Sequence, residues 1–293
     1  MKTIGVMSPG DMGQAVAQQL KSAGFEVLTA LDARSERTRA LGRSAGLTDV
    51  GSVARLVEQT DVVMSIMNPA SALDFAEEVA AAMTATGRHP LFLDCNALAP
   101  ESKHELQAVI AGAGGRMLDV GIIGLPPRGR AAPRLYVSGP GAQDVLALAT
   151  PQLLIRVAGE RIGDAAAVKM CFAALGKGVQ ALAAQIMVAA DRYGVTDAVV
   201  AEYAAMSPGV HAFAMEQLPK MTPKAYRWAP EMREIALTFE AVGLPVATYE
   251  GVAQMYDFIV RSPLGAESPE AAAAANRTGE QVIAALSHGY RPG

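Results

Sequence analysis

A glycine-containing turn near the start of the chain has the residue types of a phosphate-binding loop. Residues 3–7 form a short apolar run of strand type, and residues 14–22 have the periodicity of a helix. In the intervening Ser-Pro-Gly-Asp-Met-Gly, Gly10 and Gly13 occupy the second and third glycine positions of a dinucleotide fingerprint, and Ser8 replaces the first. Gly10 lets the backbone approach a pyrophosphate, and Gly13 lets the helix pack on the strand. We predict a dinucleotide-binding turn formed by Ser8, Pro9, Gly10, Asp11 and Met12; an ordinary tight turn is the alternative.

The end of the next predicted strand, residues 26–31, carries groups suited to the adenosine ribose of such a cofactor. An acidic residue there suits the free 2′-hydroxyl of NAD, whereas an arginine suits the 2′-phosphate of NADP. Both occur, because Asp32 is followed by Arg34, Ser35 and Arg37. Two guanidinium groups and a hydroxyl favour NADP, and NAD remains possible. Ser35 is equally suited to be the N-cap of an exposed helix, so both interpretations stay open.

Further apolar runs at residues 61–67 and 91–94 are nearly continuous, as is typical of parallel strands covered on both faces. Helices are predicted at residues 72–83 and 101–111, and later strands at 117–120, 135–138 and 154–157. This alternation predicts an α/β fold with a Rossmann-type doubly wound parallel sheet. Ligands bind beyond the carboxyl ends of such strands, so we expect Met67, Asn68, Pro69 and Asn96 to line the cofactor crevice.

The second half of the chain has a different composition. Alanine-rich helical sequence begins at Gly163 and continues to about Tyr193, about 45 Å at 1.5 Å per residue. More helices follow, with breaks expected near Pro208, Pro219, Pro223, residues 243–245 and residues 262–263. We predict a cofactor domain at 1–160 and an all-α C-terminal domain at 161–293. Because a uniformly apolar long helix must be covered on most sides, we expect a homodimer through the helical domain.

Composition excludes several classes of function. The 293 residues suffice for two domains, and a net charge of −4 offers no electrostatic footprint for nucleic acid. No apolar run appears long enough for a membrane span, and the start lacks a signal-peptide pattern. Two cysteines make no disulfide framework, and four scattered histidines argue against a metal site. The default expectation is a cytoplasmic protein without a membrane partner.

Taken in order, these motifs resemble the β-hydroxyacid dehydrogenases, which include 3-hydroxyisobutyrate and 6-phosphogluconate dehydrogenases. The G-x-M-G at positions 10–13 and the Asp94-to-Pro100 stretch are similar to motifs of that family. Residues 119–124 stand where the family has its substrate loop, and a glycine-spaced run at 159–164 precedes Lys169 as in the family. The resemblance spans the whole chain. It implies an NAD(P)-dependent oxidoreductase with Lys169 as general acid or base, and with a substrate loop formed by Gly121, Ile122, Ile123 and Gly124.

Three departures set this chain apart from the standard members. Ala173 replaces the family's asparagine, Ile122 or Ile123 replaces its loop serine, and residues 228–232 lack its late lysine–aspartate pair. These features resemble a divergent branch whose C-terminal domain has no assigned function. A more apolar pocket implies a substrate with an apolar or aromatic part. Lys177 is expected at the surface.

Three aromatic or imidazole side chains of the helical half remain ambiguous. His211, Tyr226 and Trp228 either reach the site from a partner subunit or only pack helices together.

The sequence leaves three functions open. The first is hydride transfer between NADP(H) and a hydroxy acid, oxo acid or related carbonyl compound. The second is imine reduction, which Lys169 disfavours because that class commonly has aspartate or tyrosine at this position. The third is a non-catalytic redox sensor that binds NADP, which Lys169 disfavours and the missing asparagine keeps open.

Overall fold

The computed structural model describes residues 1–32 and 34–288. The chain divides into two compact units, Met1–Met170 and Cys171–Gly293. The division falls within one long helix, ten residues beyond the boundary predicted after residue 160.

The N-terminal unit alternates strands and helices. Its strands are β1 Thr3–Met7, β2 Glu26–Thr29, β3 Thr48–Asp49, β4 Val62–Ser65, β5 Leu91–Asp94, β6 Met117–Ile123, β7 Arg134–Ser138 and β8 Leu154–Gly159. Its helices are α1 Asp11–Ser22, α2 Glu36–Ser44, α3 Val53–Gln59, α4 Ala72–Thr86, α5 Pro100–Gly112 and the start of α6 Asp164–Tyr193. The predicted Rossmann-type α/β fold is confirmed.

Within the described residues, the strands form one sheet in the order β3-β2-β1-β4-β5-β6-β7-β8. Neighbours from β3 to β6 are parallel, whereas β7 is antiparallel to β6 and parallel to β8. Strand β3 and helix α3 were not predicted. Thr48 and Asp49 are both exposed, so the shortest strand has no apolar pattern to reveal it.

The buried strands place alternate residues on opposite faces of the sheet. Ile4 and Val6 pack on one face with residues of α1, including Leu20. Met7 packs on the other face, in a cluster with Phe75 of α4. Both faces are therefore covered, which is why the strands read as continuous apolar runs.

Helices make up the described part of the C-terminal unit. After α6 they are α7 Thr196–Met206, α8 Pro208–Met221, α9 Ala225–Glu240, α10 Ala247–Val260, α11 Pro269–Ala275 and α12 Gly279–His288. Helices α9 and α10 are joined by edge-to-face ring contacts, with centroids 5.5 Å apart for Trp228 and Tyr256 and 5.1 Å for Phe239 and Tyr249. The all-α second half is confirmed.

Two expectations about these helices were wrong. Pro219 does not interrupt α8, which ends two residues later at Met221, although this proline has no N–H to donate to the carbonyl four residues earlier. The second was that no apolar run is long enough for a membrane span. Helix α6 is long and apolar enough by length and composition, although 44% of its most apolar window is buried in the protein. A buried core helix meets the same criteria, so this property is weak evidence for a membrane location.

Candidate functional site

The glycine turn has the local geometry that a pyrophosphate requires. Helix α1 begins at Asp11 with Gly10 as its N-cap, and no side chain caps its first N–H groups. A Cβ placed on Gly13 would lie 2.1 Å from the carbonyl oxygen of Ser8, so only glycine allows this approach of helix and turn. A Cβ on Gly10 would meet no atom within 4 Å, so the backbone there faces open space. The turn therefore fits a dinucleotide.

The sheet order brings several predicted cofactor residues together at the carboxyl ends of neighbouring strands. Strands β1, β4 and β5 are neighbours, and their carboxyl ends lead into the glycine turn, the 67–69 segment and Asn96. The amide of Asn96 donates to Ser65 Oγ at 2.8 Å and also to Asp94, and its carbonyl oxygen accepts the Met67 N–H at 2.6 Å. Its side chain therefore orders the segment that begins at Met67. Asn68 Oδ1 accepts the N–H of Ala70 at 3.2 Å and so shapes the following turn.

The predicted ribose region contains both candidate determinants of cofactor choice. Ser35 caps α2, because its hydroxyl accepts the Thr38 N–H at 3.3 Å. Arg34 is partly buried, with Nη2 at 4.0 Å from Glu78 Oε2, while Asp32 and Arg37 are exposed. The N-cap interpretation of Ser35 thus holds in this structure, and a role for the hydroxyl in phosphate binding stays a prediction.

The expected substrate loop is largely a strand. Gly121, Ile122 and Ile123 belong to β6 and pair with β7, so the loop begins only at Gly124. Ile122 and Ile123 are buried. Our expectation of a four-residue loop was wrong because antiparallel pairing with β7, a long-range interaction, extends β6.

Strand β6 nevertheless lies against the helix that carries Lys169. A Cβ placed on Gly121 would lie 2.6 Å from the carbonyl oxygen of Ala165 and 2.9 Å from Lys169 Cβ. Any side chain at position 121 would thus separate β6 from α6. The structure therefore brings together two residues that were predicted from separate motifs. Gly121 and Lys169 are neighbours within the N-terminal unit.

A buried charge cluster beneath this region escaped the sequence analysis. Lys103, Asp94 and Asp119 have fully buried side chains; Lys103 Nζ pairs with Asp94 and lies 3.1 Å from Asp119 Oδ1. Burial raises the pKa of Asp94. Burial alone lowers the pKa of Lys103, but the charges of Asp94 and Asp119 outweigh it and raise that pKa overall. One feature of the sequence could have indicated that Lys103 is buried. It precedes Leu106 and Ile110 at helical spacing, on the apolar face of α5.

The same cluster anchors the start of α6. Asp119 Oδ2 accepts the N–H groups of Gly163 at 3.1 Å and Ala166 at 2.8 Å, together with Ser138 Oγ at 3.3 Å. Ser138 Oγ in turn accepts the N–H of Ala165 at 2.9 Å. These bonds satisfy helix-start donors that lack partners within the helix. Through Asp94 and Asn96, the network also reaches the Met67 segment of the cofactor edge.

Residues 3–163 match the family model described as the NAD binding domain of 6-phosphogluconate dehydrogenase. The chain belongs to this family. Residues 190–259 match a domain of unknown function, DUF1932. The resemblance deduced from the motifs is confirmed, and family membership supports a nicotinamide cofactor for this 6-phosphogluconate dehydrogenase-type domain.

Solved structures share the fold along nearly the full length. The conserved protein MTH1747 of unknown function, described as similar to 3-hydroxyacid dehydrogenases, is 28% identical, with 88% of this chain and 96% of that one covered and a TM-score of 0.66. A conserved hypothetical protein from Sinorhizobium meliloti is 23% identical, with coverage of 99% and 97% and a TM-score of 0.68. The 3-hydroxyisobutyrate dehydrogenase of Mycobacterium tuberculosis is 18% identical, with coverage of 94% and 99% and a TM-score of 0.70.

Lys177 was expected at the surface of the helical unit that follows the 6-phosphogluconate dehydrogenase-type domain, and this expectation was wrong. Its side chain is only 14% exposed and forms an ion pair with Glu231, which is 7% exposed. Lys177 Nζ also lies 5.0 Å from the ring centroid of Trp228. Lys177 is therefore an internal cation rather than a surface lysine, because α9 folds back over α6.

Two of the three remaining ring-bearing candidates, Trp228 and His211, pack within the helical unit. Trp228 contacts Tyr256, and His211 stacks on Tyr203 with centroids 5.9 Å apart. Tyr226 is exposed. A contribution of His211, Tyr226 or Trp228 to a partner's site stays a prediction.

Proposed function

We propose that the protein is an oxidoreductase that transfers hydride between NADP(H) and a hydroxy acid, oxo acid or related carbonyl compound with an apolar part. The observation that carries this proposal is the close approach of Lys169 to Gly121. Gly121 lies on β6 just beyond Asp119, which pairs with the last residue of β5. In this fold, ligands bind beyond those strand ends. Bound nicotinamide would supply or accept the hydride.

Lys169 would manage the proton of the reacting oxygen. In the reducing direction, its ammonium group donates a proton to the carbonyl oxygen as the hydride arrives; in the oxidising direction, the amine removes the hydroxyl proton. Gly121 allows the lysine-bearing helix to approach β6, and the buried Asp119 fixes the first turn of that helix. Ile122 or Ile123 replaces the serine expected in the family, which favours an apolar substrate portion.

A substrate panel tests this function. We would follow NADPH and NADH absorbance with hydroxy acids, oxo acids, aldehydes and cyclic imines that differ in apolar bulk. Turnover of carbonyl compounds with apolar substituents is expected. Preferential turnover of imines would favour the imine reductase alternative, which Lys169 disfavours. Tight NADP(H) binding without turnover of any member would favour a redox sensor.

Cofactor preference should follow Arg34. We expect tighter binding of NADP⁺ than of NAD⁺ because Arg34 and Arg37 can contact a 2′-phosphate next to Ser35. Arg34→Ala should remove a charge-assisted contact that contributes about 1.5–3 kcal/mol to the binding free energy of NADP⁺. The affinity for NADP⁺ should therefore fall about 10- to 150-fold, while the affinity for NAD⁺ changes little. Titration of both cofactors by calorimetry measures the difference.

Arg43 offers a matched control for Arg34. It lies on the last turn of α2 and pairs with Glu36, so Arg43→Ala should leave both affinities unchanged. Equal affinity of the wild type for NADP⁺ and NAD⁺ would contradict the preference and point to Asp32 as the ribose ligand.

The protein should also form a homodimer through α6, in the cytoplasm. Phe172, Leu175, Leu182, Ile186 and Tyr193 are between 41% and 83% exposed and follow one another at helical spacing on α6. An uninterrupted apolar stripe of this kind is self-complementary, so a second copy of the same helix fits it. Sedimentation at micromolar concentration should give a dimer.

Charge placed on the stripe should dissociate the dimer. Leu175→Glu with Leu182→Glu is expected to sediment as a monomer, whereas Ala274→Glu, at an exposed position of α11, should remain dimeric. A monomeric wild type at these concentrations would contradict the proposed dimer.

A further inference from the structure

The loop after β6 contains a cation that reaches the glycine turn. Arg128 Nη2 lies 3.0 Å from Asp11 Oδ1 and 3.2 Å from the carbonyl oxygen of Asp11. Gln19 of α1 donates to the carbonyl oxygen of Pro127 at 3.4 Å, so the loop contacts the helix at two points. Gly129, at a φ of +58°, permits the turn that follows Arg128.

The ion pair between Arg128 and Asp11 places a cation beside a carboxylate at the predicted phosphate site. Asp11 is the first residue of α1, beside the open backbone of Gly10. A carboxylate there interacts favourably with the helix N-terminus but repels a pyrophosphate bound at the same end. Arg128 forms an ion pair with that carboxylate and so offsets its charge. The Arg128 side chain is about half exposed, at 49%, and so is accessible to a ligand.

We propose that Arg128 is a cofactor-binding residue that exchanges its contact with Asp11 for the pyrophosphate of the dinucleotide. Its planar guanidinium can donate two parallel N–H bonds to phosphate oxygens, which Lys cannot do with the same geometry. The ligand class is any nucleotide that carries a diphosphate. The inference rests on the proposed function because it assumes a dinucleotide at the glycine turn.

An alternative is that the pair is only a structural latch that holds the loop against α1. The two roles differ in the sign of one effect. In a latch, losing either partner disturbs the loop and weakens binding. In an exchange, losing Arg128 weakens binding, whereas losing the charge of Asp11 strengthens it because Arg128 is released and repulsion is removed.

The experiment titrates NADP⁺, ADP-ribose and 2′-AMP into the wild type, Arg128→Gln and Asp11→Asn. Arg128→Gln should weaken NADP⁺ and ADP-ribose by about tenfold or more, as expected for a charge-assisted phosphate contact. It should leave 2′-AMP, which has no diphosphate, unchanged. Asp11→Asn should tighten NADP⁺ and ADP-ribose. Arg130→Gln is the matched control, since Arg130 is an exposed arginine of the same loop, and it should bind all three as the wild type does.

Two results would overturn the assignment: wild-type affinity of Arg128→Gln for ADP-ribose, or weakening by Asp11→Asn as large as that by Arg128→Gln. Failure of the proposed function gives a different pattern. A wild type that binds ADP-ribose through Arg128 but turns over no member of the substrate panel would contradict the oxidoreductase and retain the phosphate contact.

Discussion

Lys169→Ala should reduce turnover of the substrate found in the panel by about 100- to 10,000-fold, the usual contribution of a general acid–base group. The affinity for NADP(H) should barely change, because the glycine turn and the ribose region, not Lys169, are expected to hold the nucleotide. Alanine has the highest helix propensity, so α6 should persist in the variant. Steady-state kinetics and a cofactor titration of the same preparations measure both quantities.

Two further variants separate chemistry from packing at Lys169. Lys169→Met keeps the length of the side chain and should be as impaired as Lys169→Ala if the proton matters. Val168→Ala, at the neighbouring exposed position, should turn over normally. Wild-type turnover in Lys169→Met would mean that another group moves the proton. Lys177 is unsuitable as a surface control because it is paired with the buried Glu231.

The second large effect is expected on stability. Lys103→Met removes the cation between Asp94 and Asp119, whose side chains have no solvent exposure. An uncompensated buried charge costs about 3–5 kcal/mol, so the free energy of unfolding should fall by that amount. Urea denaturation measures it, provided that the slope of the transition is unchanged.

Neutralising the stranded carboxylates should recover part of this loss. Lys103→Met combined with Asp94→Asn is expected to be more stable than Lys103→Met alone, because one buried charge is removed. Lys220→Met gives the exposed counterpart: its pair with Glu216 on α8 is largely solvated, so the change should cost less than about 1 kcal/mol. A Lys103→Met variant no less stable than Lys220→Met would contradict an ionised, structurally important cluster.

Local patterns in the sequence were sufficient for the fold class and for the glycine turn. Strand β1, the turn and α1 are contiguous, so the glycine spacing within one short stretch suffices to predict a phosphate site there. The continuous apolar strands and the long α6 likewise indicate burial through their apolar composition. The motif order was enough to identify the family before any distance was known.

Tertiary structure decided which of these residues act together. The pairing of β6 with β7 turned Gly121 from a loop residue into a strand residue packed against α6, and folding of α9 over α6 converted Lys177 from an expected surface lysine into an internal ion pair. The Lys103 cluster joins α5 to the end of β5 and to the middle of β6, and Arg128 meets Asp11 across 117 positions of sequence. Such contacts depend on which strand end faces which helix, and periodicity within one element carries no information about its neighbours in space.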